Sequence, residues 1–460
     1  MQPPTGETSR PAHPPLLAWL PTATPKDRAD AILKLLQSLP PDGRLCLSAI
    51  GDVRALLDDI ELPGARLLGA DFTGAKFRRA DLRGADLTGA IFRGADLGST
   101  KLEQANLAQA DLGEAELAAA NFTGADLSKA NLRKALCEET RFAGAKLRFA
   151  DLRGAACEQA DFTRADLWGA DLTGADCGRA DFRGAVFKEA SARDAVFTGA
   201  DLRGADLTRI DLRGADLAGA DLREALIGGA DFRGANLQHA RLDGLDLTPV
   251  ALAGVRLAGA RLDGTRLDWR QFGDRLGEET AGDIEAARGG YLALERVFAA
   301  LGDTSAASWA YLRRRRMQKR QSWRTARRRW GEGQRWAGVR AAAAAAGDQC
   351  VEWGCDYGES VGRVLLSIAA VFVAFAVLYG ITGSVVRVQP GLDGSEVRTV
   401  TAAPADLAVF SLLALTTSGS PVVALQPRDE FVHFLTGIQA LFGIALTGLL
   451  GFVAGNRIRR

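Results

Sequence analysis

The chain reads A-D-L-R-G-A-D-L-T-G from residue 80 to residue 89, and the same five-residue pattern continues without a slip from residue 65 to residue 267. A small residue, mostly Ala, opens each unit, and Leu or Phe fills 36 of the 41 third slots in this range. A period of five fits neither an α-helix nor a flat strand. It fits a chain that turns a corner every five residues and stacks coil on coil.

The first and third slots of each unit are predicted to point inward, and the other three to face solvent or turn the corner. A square cross-section has four sides, so one coil takes about 20 residues and the run makes about ten coils, a rod of about 48 Å at strand spacing. Each coil contacts only its neighbours, so the two ends of the rod need caps.

This repeat resembles the pentapeptide-repeat family, whose pattern is A-(D/N)-L-x-x. The resemblance implies a mainly β solenoid, the right-handed quadrilateral β-helix, over residues 64–270.

Some members of this family protect DNA gyrase with an acidic, DNA-like surface. Residues 61–270 hold 32 Asp and Glu against 29 Lys and Arg. That near-neutral balance disfavours a DNA mimic, because the long-range field of such a mimic is absent. The family fold does not by itself give a function.

A column of arginines recurs at multiples of one coil. A solvated face with local Asp–Arg pairing is favoured over a site for an anionic partner, since Asp151, Asp211 and Asp231 stand two residues before three of the arginines. The column comprises Arg93, Arg133, Arg153, Arg193, Arg213 and Arg233.

Three cysteines, Cys137, Cys157 and Cys177, are one coil apart and are expected to stack on an inner face. They are interpreted as small apolar substitutes for Leu rather than as a metal site or a redox ladder. The six cysteines of the chain form no C-x-x-C pair, which indicates a reducing compartment.

Both flanks of the solenoid differ from it in composition. Residues 1–25 are Pro-rich and expected to be disordered. Residues 26–63 are predicted as a helical N-terminal cap, with helices over 27–39 and 44–60. Beyond the repeat, residues 277–345 are predicted as an antiparallel helical hairpin, with helix 283–301 and a second helix from Ser305, running into a basic segment.

That basic segment interleaves Arg and Lys with four tryptophans just before the first membrane-length stretch. Clustered arginine with interfacial tryptophan is what a cytoplasmic membrane surface selects, and nucleic-acid binding is the less favoured alternative. The residues predicted at the membrane surface are Arg313, Arg314, Arg315, Arg316, Lys319, Arg320, Arg327, Arg328 and Arg329.

Residues 364–386 carry no charge, and residues 431–455 form a second apolar stretch, so each is long enough to cross a bilayer. Basic residues flank the inner end of both stretches. The positive-inside rule therefore predicts a two-span protein of the inner (plasma) membrane with both termini and the rod in the cytoplasm. Gln439, within the second stretch, is expected to face protein rather than lipid.

Between the stretches, residues 404–421 combine a short apolar run with Thr- and Gly-containing backbone. Residues 346–460 are predicted as a transmembrane domain, in which residues 358–460 resemble the two-transmembrane potassium-channel pore domain. Residues 352–359 resemble the juxtamembrane segment of bacterial proteins that join pentapeptide repeats to such a pore. The resemblance implies a filter formed by Thr416, Thr417, Ser418, Gly419, Ser420 and Pro421. Thr416, Thr417 and Gly419 match the family, whereas serines and a proline replace Val, Tyr and the second Gly. Proline excludes the positive φ open to Gly, so potassium selectivity is not expected.

The sequence thus favours a cation-channel-like membrane protein, a homotetramer because each chain supplies one pore loop. The alternative is a non-conducting membrane-anchored scaffold. No enzyme is expected, since no phosphate loop, metal cluster or nucleophile motif occurs and the chain has 3 His. Monovalent cations in the pore are the expected ligands, with no cofactor. The expected partners are the lipid bilayer, further copies of the chain and an unidentified protein on the rod, but no nucleic acid.

Overall fold

The computed structural model describes residues 24–27, 30–31, 34, 57–355, 360–383, 385–390, 396–416, 425–428 and 430–458. The chain divides into two compact units, Met1–Ala306 and Ala307–Arg460. Each unit is described by itself below.

The first unit contains the coils, and their spacing matches the predicted 20 residues. Parallel β-bridges join second-slot residues one coil apart, from Glu61 and Asp81 at one end to Asp246 and Arg266 at the other. The prediction of a four-sided coil is confirmed, because four five-residue units separate each bridge partner from the next.

The corner between two sides is a tight turn. The first-slot N–H of each unit donates to the third-slot carbonyl of the unit before it, as from Ala85 to Leu82 at 3.1 Å. The fifth slot has positive φ from Asp59 to Gly264 except at Pro249, with values that include 64° at Gly84 and 56° at Arg79. A type II turn requires positive φ at that position, which explains the frequent glycine there. Several coils nevertheless place a side chain in this strained conformation.

The core is a narrow column of first-slot and third-slot side chains. Nearly all of them are fully buried from Leu57 to Leu267. Phe122, Phe142, Phe162 and Phe182 stack one per coil with ring centroids 4.8 to 5.2 Å apart. Stacking at the coil spacing adds to the free energy gained by burying the rings.

Coil geometry is present from Leu57, where the described range 57–355 begins, so the predicted helical cap 26–63 is wrong in its last residues. Leu57, Ile60 and Leu62 occupy third, first and third slots and are buried. Asp59 donates its N–H to the Arg78 carbonyl of the next coil at 2.9 Å. The inward slots therefore continue upstream of the regular Ala-Asp-Leu pattern. Residues 25–27, 30–31 and 34 are helical, and most of the predicted helix 44–60 lies outside the described residues.

A short helical segment closes the C-terminal end of the coils. A 3-10 turn, Trp269–Phe272, precedes helix α1, Gly277–Ala281, and helix α2, Ile284–Ala300. The Gln271 side chain donates to the carbonyls of Leu247, Thr248 and Val250 at 2.7 to 2.8 Å. Buried Glu278 accepts the N–H groups of Leu257 and Ala258 at 2.5 and 2.7 Å. These side chains satisfy edge groups of the last coil, which would otherwise template pairing with another chain.

Helix α3, Thr304–Gly331, turns at Gly333 into helix α4, Arg335–Cys355. The second unit continues with α5, Val361–Thr382, β1, Val385–Pro390, β2, Glu396–Val400, α6, Pro404–Leu415, β3, Leu425–Pro427, and α7, Glu430–Ile458. The strands form an antiparallel sheet in the order β2-β1-β3.

Two helices are long and apolar enough to cross a membrane, Val361–Thr382 and Glu430–Ala454. The sequence placed the first stretch at 364–386, but Val385 and Val386 belong to β1. The sheet itself was not predicted. The predicted segment 277–345 is also divided, because α1 and α2 belong to the first unit whereas α4 belongs to the second.

Candidate functional site

The aspartate slot of each coil unit has a structural role. In the unit 80–84, four N–H groups donate to main-chain carbonyls, and the fourth-slot N–H of Arg83 donates to the Asp81 carboxylate at 3.2 Å. The same bond joins Thr163 to Asp161 at 2.9 Å and Thr173 to Asp171 at 3.0 Å. Every main-chain donor of such a unit is thereby satisfied. The second-slot Asp or Asn closes the corner as an Asx turn.

The arginines of the column from Arg133 to Arg233 pair with these aspartates. Arg153 binds Asp151 at 2.5 Å and Arg233 binds Asp231 at 2.6 Å. Asp211 accepts hydrogen bonds from Arg193 and from Arg213, at 2.5 and 2.8 Å respectively. Burial acts to raise the pKa of Asp211, but the hydrogen bonds from both guanidinium groups outweigh it and lower the pKa to about 2. Local pairing of this kind supports the solvated-face interpretation of the column.

The three predicted cysteines lie in one buried column. Cys137, Cys157 and Cys177 are free and fully enclosed. Hydrogen bonding to Cys157 and burial hold the pKa of Cys137 and of Cys177 well above the usual range of a thiol. Buried thiols that stay protonated, such as those of Cys137 and Cys177, are unreactive. Among the described residues, no group of three or more His, Cys, Asp or Glu is placed to hold a metal ion.

In the second unit, α6 packs against both long apolar helices. A buried chain of hydrogen bonds connects the three. Tyr379 of α5 donates to the Gln439 side-chain oxygen at 2.8 Å, and the Gln439 amide donates to the Ser411 hydroxyl of α6 at 2.7 Å. Ser411 in turn donates to the Phe372 carbonyl of α5 at 2.9 Å. The expectation that Gln439 faces protein is confirmed.

Two glycines allow the helices to approach α6 closely. A Cβ at Gly443 of α7 would collide with the Leu415 carbonyl oxygen at the end of α6. A Cβ at Gly380 of α5 would lie 2.9 Å from Leu407 Cδ1. At Gly437, Gly448 and Gly451 a Cβ would meet nothing within 4 Å. One of the four α7 glycines named here is therefore required by a close contact in the fold.

The other end of α6 is fixed by charge. Asp406, in its first turn, pairs with Arg387 of β1. Asp406 also accepts the Thr401 hydroxyl at 2.6 Å. A half-buried ion pair that was not predicted thus joins the strand to the helix. No local pattern in the sequence indicates this pair, because 19 positions and strand β2 separate the two residues.

The predicted filter begins where α6 ends. Thr416 caps the helix, donating its N–H to Leu412 at 3.0 Å, and its side chain is exposed. Thr417, Ser418, Gly419, Ser420 and Pro421 lie outside the described residues, so their grouping stays a prediction.

The predicted membrane-surface residues divide into two sets on α3. Near the middle of the helix, Arg315 pairs with Asp348 of α4 at 2.8 Å, and Arg316 with Glu352 at 3.0 Å. Lys319 also pairs with Glu352. Burial opposes ionisation of Glu352, but Lys319 and Arg316 outweigh it and lower its pKa. Farther along, Arg327 and Arg328 are exposed. These contacts make α3 and α4 an antiparallel hairpin, whereas the sequence predicted the hairpin between the helix 283–301 and the helix that starts at Ser305.

Comparison with known protein families identifies the coils. The model of the family described as pentapeptide repeats matches in 8 copies, over residues 65–104, 100–136, 140–176, 175–214 and 215–250. Among curated proteins, none matches the chain.

Solved structures similar to the chain are of the same kind. HetL, a pentapeptide repeat protein involved in heterocyst differentiation regulation in the cyanobacterium Nostoc sp. strain PCC 7120, is 31% identical, with a TM-score of 0.34. The match covers 52% of this chain and 93% of HetL. Full-length QnrB1, a plasmid-mediated fluoroquinolone resistance protein, is 21% identical over 46% of this chain and 92% of its own, with a TM-score of 0.19.

Proposed function

This chain belongs to the pentapeptide-repeat family, and we propose that it is a membrane protein that conducts monovalent cations as a homotetramer. In this proposal the right-handed β-helix is a cytoplasmic module for docking or regulation. The membrane part consists of α5 and α7, with α6 and residues 416–421 between them.

The observation that carries the proposal is the position of α6. It has 12 residues, too few to cross a bilayer, and it packs against both apolar helices. The Tyr379–Gln439–Ser411 hydrogen bonds hold it there. Irregular backbone at membrane depth is stable only where protein buries it or where it lines a water-filled path. A short helix followed by Thr- and Gly-containing backbone is the arrangement expected of a pore loop.

The tetramer follows from the pore loop. Each chain has one such loop, and a filter of this type needs four around an axis. Large apolar side chains remain exposed on α5 and α7, including Leu366, Ile381 and Leu441. Lipid and neighbouring copies would cover them.

The membrane orientation rests on charge. Arg363 lies at the start of α5, and Arg457, Arg459 and Arg460 follow the second apolar stretch. The positive-inside rule then places both termini in the cytoplasm of a bacterial inner membrane. The paired, near-neutral surface of the coils fits a protein partner better than nucleic acid.

The test is current through planar bilayers that contain the purified chain. We expect weakly selective monovalent-cation conduction. Gly443→Ala should abolish most of it, because the new methyl group displaces the end of α6 that leads into the filter. Gly448→Ala is the matched control and should conduct like the wild type, since a Cβ there meets nothing within 4 Å.

The second candidate is the non-conducting scaffold, which the serines and the proline in residues 418–421 favour. Silent bilayers from an intact tetramer would support the scaffold over the channel. A monomer in native-like lipid would contradict the channel directly, because one pore loop cannot surround an ion path.

A further inference from the structure

The turn between α3 and α4 concentrates positive charge. Residues 323–340, here called the hairpin tip, contain six Arg, one Glu and three Trp. Arg328 pairs with Glu332 at 3.6 Å. The middle of α3 differs, because Asp348 and Glu352 of α4 pair with its cations. By composition the tip carries an excess of five positive charges.

The three tryptophans of the tip are accessible. The exposed fraction is 40% for Trp323, 55% for Trp330 and 82% for Trp336. An exposed indole next to a cluster of arginines loses apolar contact with water when it enters a membrane interface, and its N–H still finds polar partners there. Gly338 brings the two helices together beside the tip, since a Cβ there would lie 3.4 Å from the Ala326 carbonyl. The tryptophans are thus presented by a closely packed hairpin.

We propose that the hairpin tip binds anionic phospholipid headgroups, so that α4 lies along the membrane surface. The inference rests on the proposed membrane location of α5 and α7. Arg327, Arg328 and Arg329 supply the charge, and Trp330 and Trp336 enter the interface. Helix α4 has 21 residues and is about 30 Å long. Since its far end connects to α5 within a few residues, the tip reaches lipid when α4 is parallel to the bilayer.

Nucleic acid is the competing ligand for such a cluster. Two observations favour lipid. The tip is tethered to an apolar helix of membrane length, which keeps it near headgroups at high effective concentration. Its tryptophans also suit the boundary between headgroups and acyl chains, where amphipathic rings are enriched.

The experiment uses the full chain in nanodiscs of phosphatidylcholine, with and without phosphatidylglycerol, in which the phosphatidylcholine chains are brominated to quench tryptophan. The difference in quenching between the wild type and Trp330→Phe/Trp336→Phe isolates the two tip tryptophans. We expect this difference to appear with phosphatidylglycerol and to fall at high salt. The triple variant R327Q/R328Q/R329Q should lose most of it, because three arginines near an anionic surface change the equilibrium by roughly a hundredfold.

The matched control is R66Q/R93Q/R141Q, which removes the same charge from exposed arginines of the coils and should keep the lipid-dependent quenching. Equal quenching with neutral and anionic lipid would overturn the proposal. So would tip-dependent binding of a DNA or RNA duplex without lipid-dependent quenching, which would instead identify a nucleic-acid site. Alkaline extraction distinguishes a failure of the lipid-binding proposal from a failure of the proposed membrane location. A chain that alkali releases from membranes contradicts the membrane location of α5 and α7.

Discussion

The second-slot aspartate has two roles in each unit where an arginine follows it two residues later. Its carboxylate accepts the N–H group that no main-chain carbonyl reaches, as in Asp81 with Arg83. The arginine two residues later then pairs with the same carboxylate. One side chain therefore closes a corner and neutralises a charge, which explains why a solenoid rich in Asp and Arg carries almost no net charge.

Asp211→Asn tests this role through pH. The pKa of Asp211 in the folded chain is about 2, below its ordinary value of 3.8. A lowered pKa contributes stability above about pH 4, and that stability is lost as the pH falls toward 2. The asparagine keeps the corner hydrogen bond but not the charge. We expect the variant to lose about 2 kcal/mol of unfolding free energy at neutral pH, with the deficit vanishing near pH 2.

Urea titrations of the full chain in detergent, followed by circular dichroism, measure this loss. Asp263→Asn is the control, because Asp263 is 88% exposed and lies 4.0 Å from Arg261. An exposed pair of this kind contributes little. A pH-independent deficit in Asp211→Asn would contradict the assigned pKa.

Helix α1 can pack against the last coil because its first residue, Gly277, has no side chain. Gly277 donates its N–H to the Val255 carbonyl at 2.8 Å, which continues the hydrogen-bond ladder of the coils into the helix. Tyr291 of α2 reinforces the contact by donating to Glu279 at 2.7 Å. The end of the β-helix is thus covered by hydrogen bonds as well as by apolar packing.

Gly277→Ala should weaken this cap. The new Cβ would collide with the Gly254 carbonyl oxygen, and overpacking of this kind costs about 1–3 kcal/mol. Gly289→Ala is the matched control, because a Cβ there meets nothing within 4 Å and lies inside α2. It should stabilise the chain by about 0.5–1 kcal/mol. Thermal unfolding should show a lower midpoint temperature for Gly277→Ala and a higher one for Gly289→Ala. Shifts of the same sign would contradict the role of Gly277 in the cap.

Across the chain, the repeat makes length adjustable in steps of one coil. Each coil bonds to the coils before and after it, at separations of 20 residues. Stability is then approximately a sum over neighbouring interfaces. Removing one whole coil brings its two neighbours into contact, and the new coil–coil interface has the same hydrogen bonds and inward slots as the others.

Deletion of residues 141–160, one coil, should therefore give a folded chain whose unfolding midpoint falls only slightly. Deletion of residues 141–151 should not, because removing 11 residues shifts the frame by one slot, and both inward residues of each downstream unit would then occupy outward slots. Circular dichroism and resistance to proteolysis distinguish the two. A folded product from the second deletion would show that the five-residue frame does not govern the fold. Conduction by the one-coil deletion would further test the proposed regulatory module.

The two membrane-length helices and α2 were predicted from local pattern with boundaries close to those observed. The start of the solenoid was not, because Leu57 and Ile60 keep the inward slots without the Ala-Asp-Leu signature. Two pairings also escaped prediction. Arg387 with Asp406, and Lys319 with Glu352, join residues 19 and 33 positions apart, and no periodicity connects them.

The sequence alone determined the five-residue frame, the 20-residue coil and the two apolar helices, because each depends on burial repeated at short range along the chain. Only the tertiary structure decided the rest. It showed which arginines α4 neutralises and which stay exposed at the hairpin tip, why Gly443 is needed where Gly448 is not, and how Gln439 finds Tyr379 and Ser411. These contacts join separate elements, and their free energy depends on distances that are set only when the elements pack.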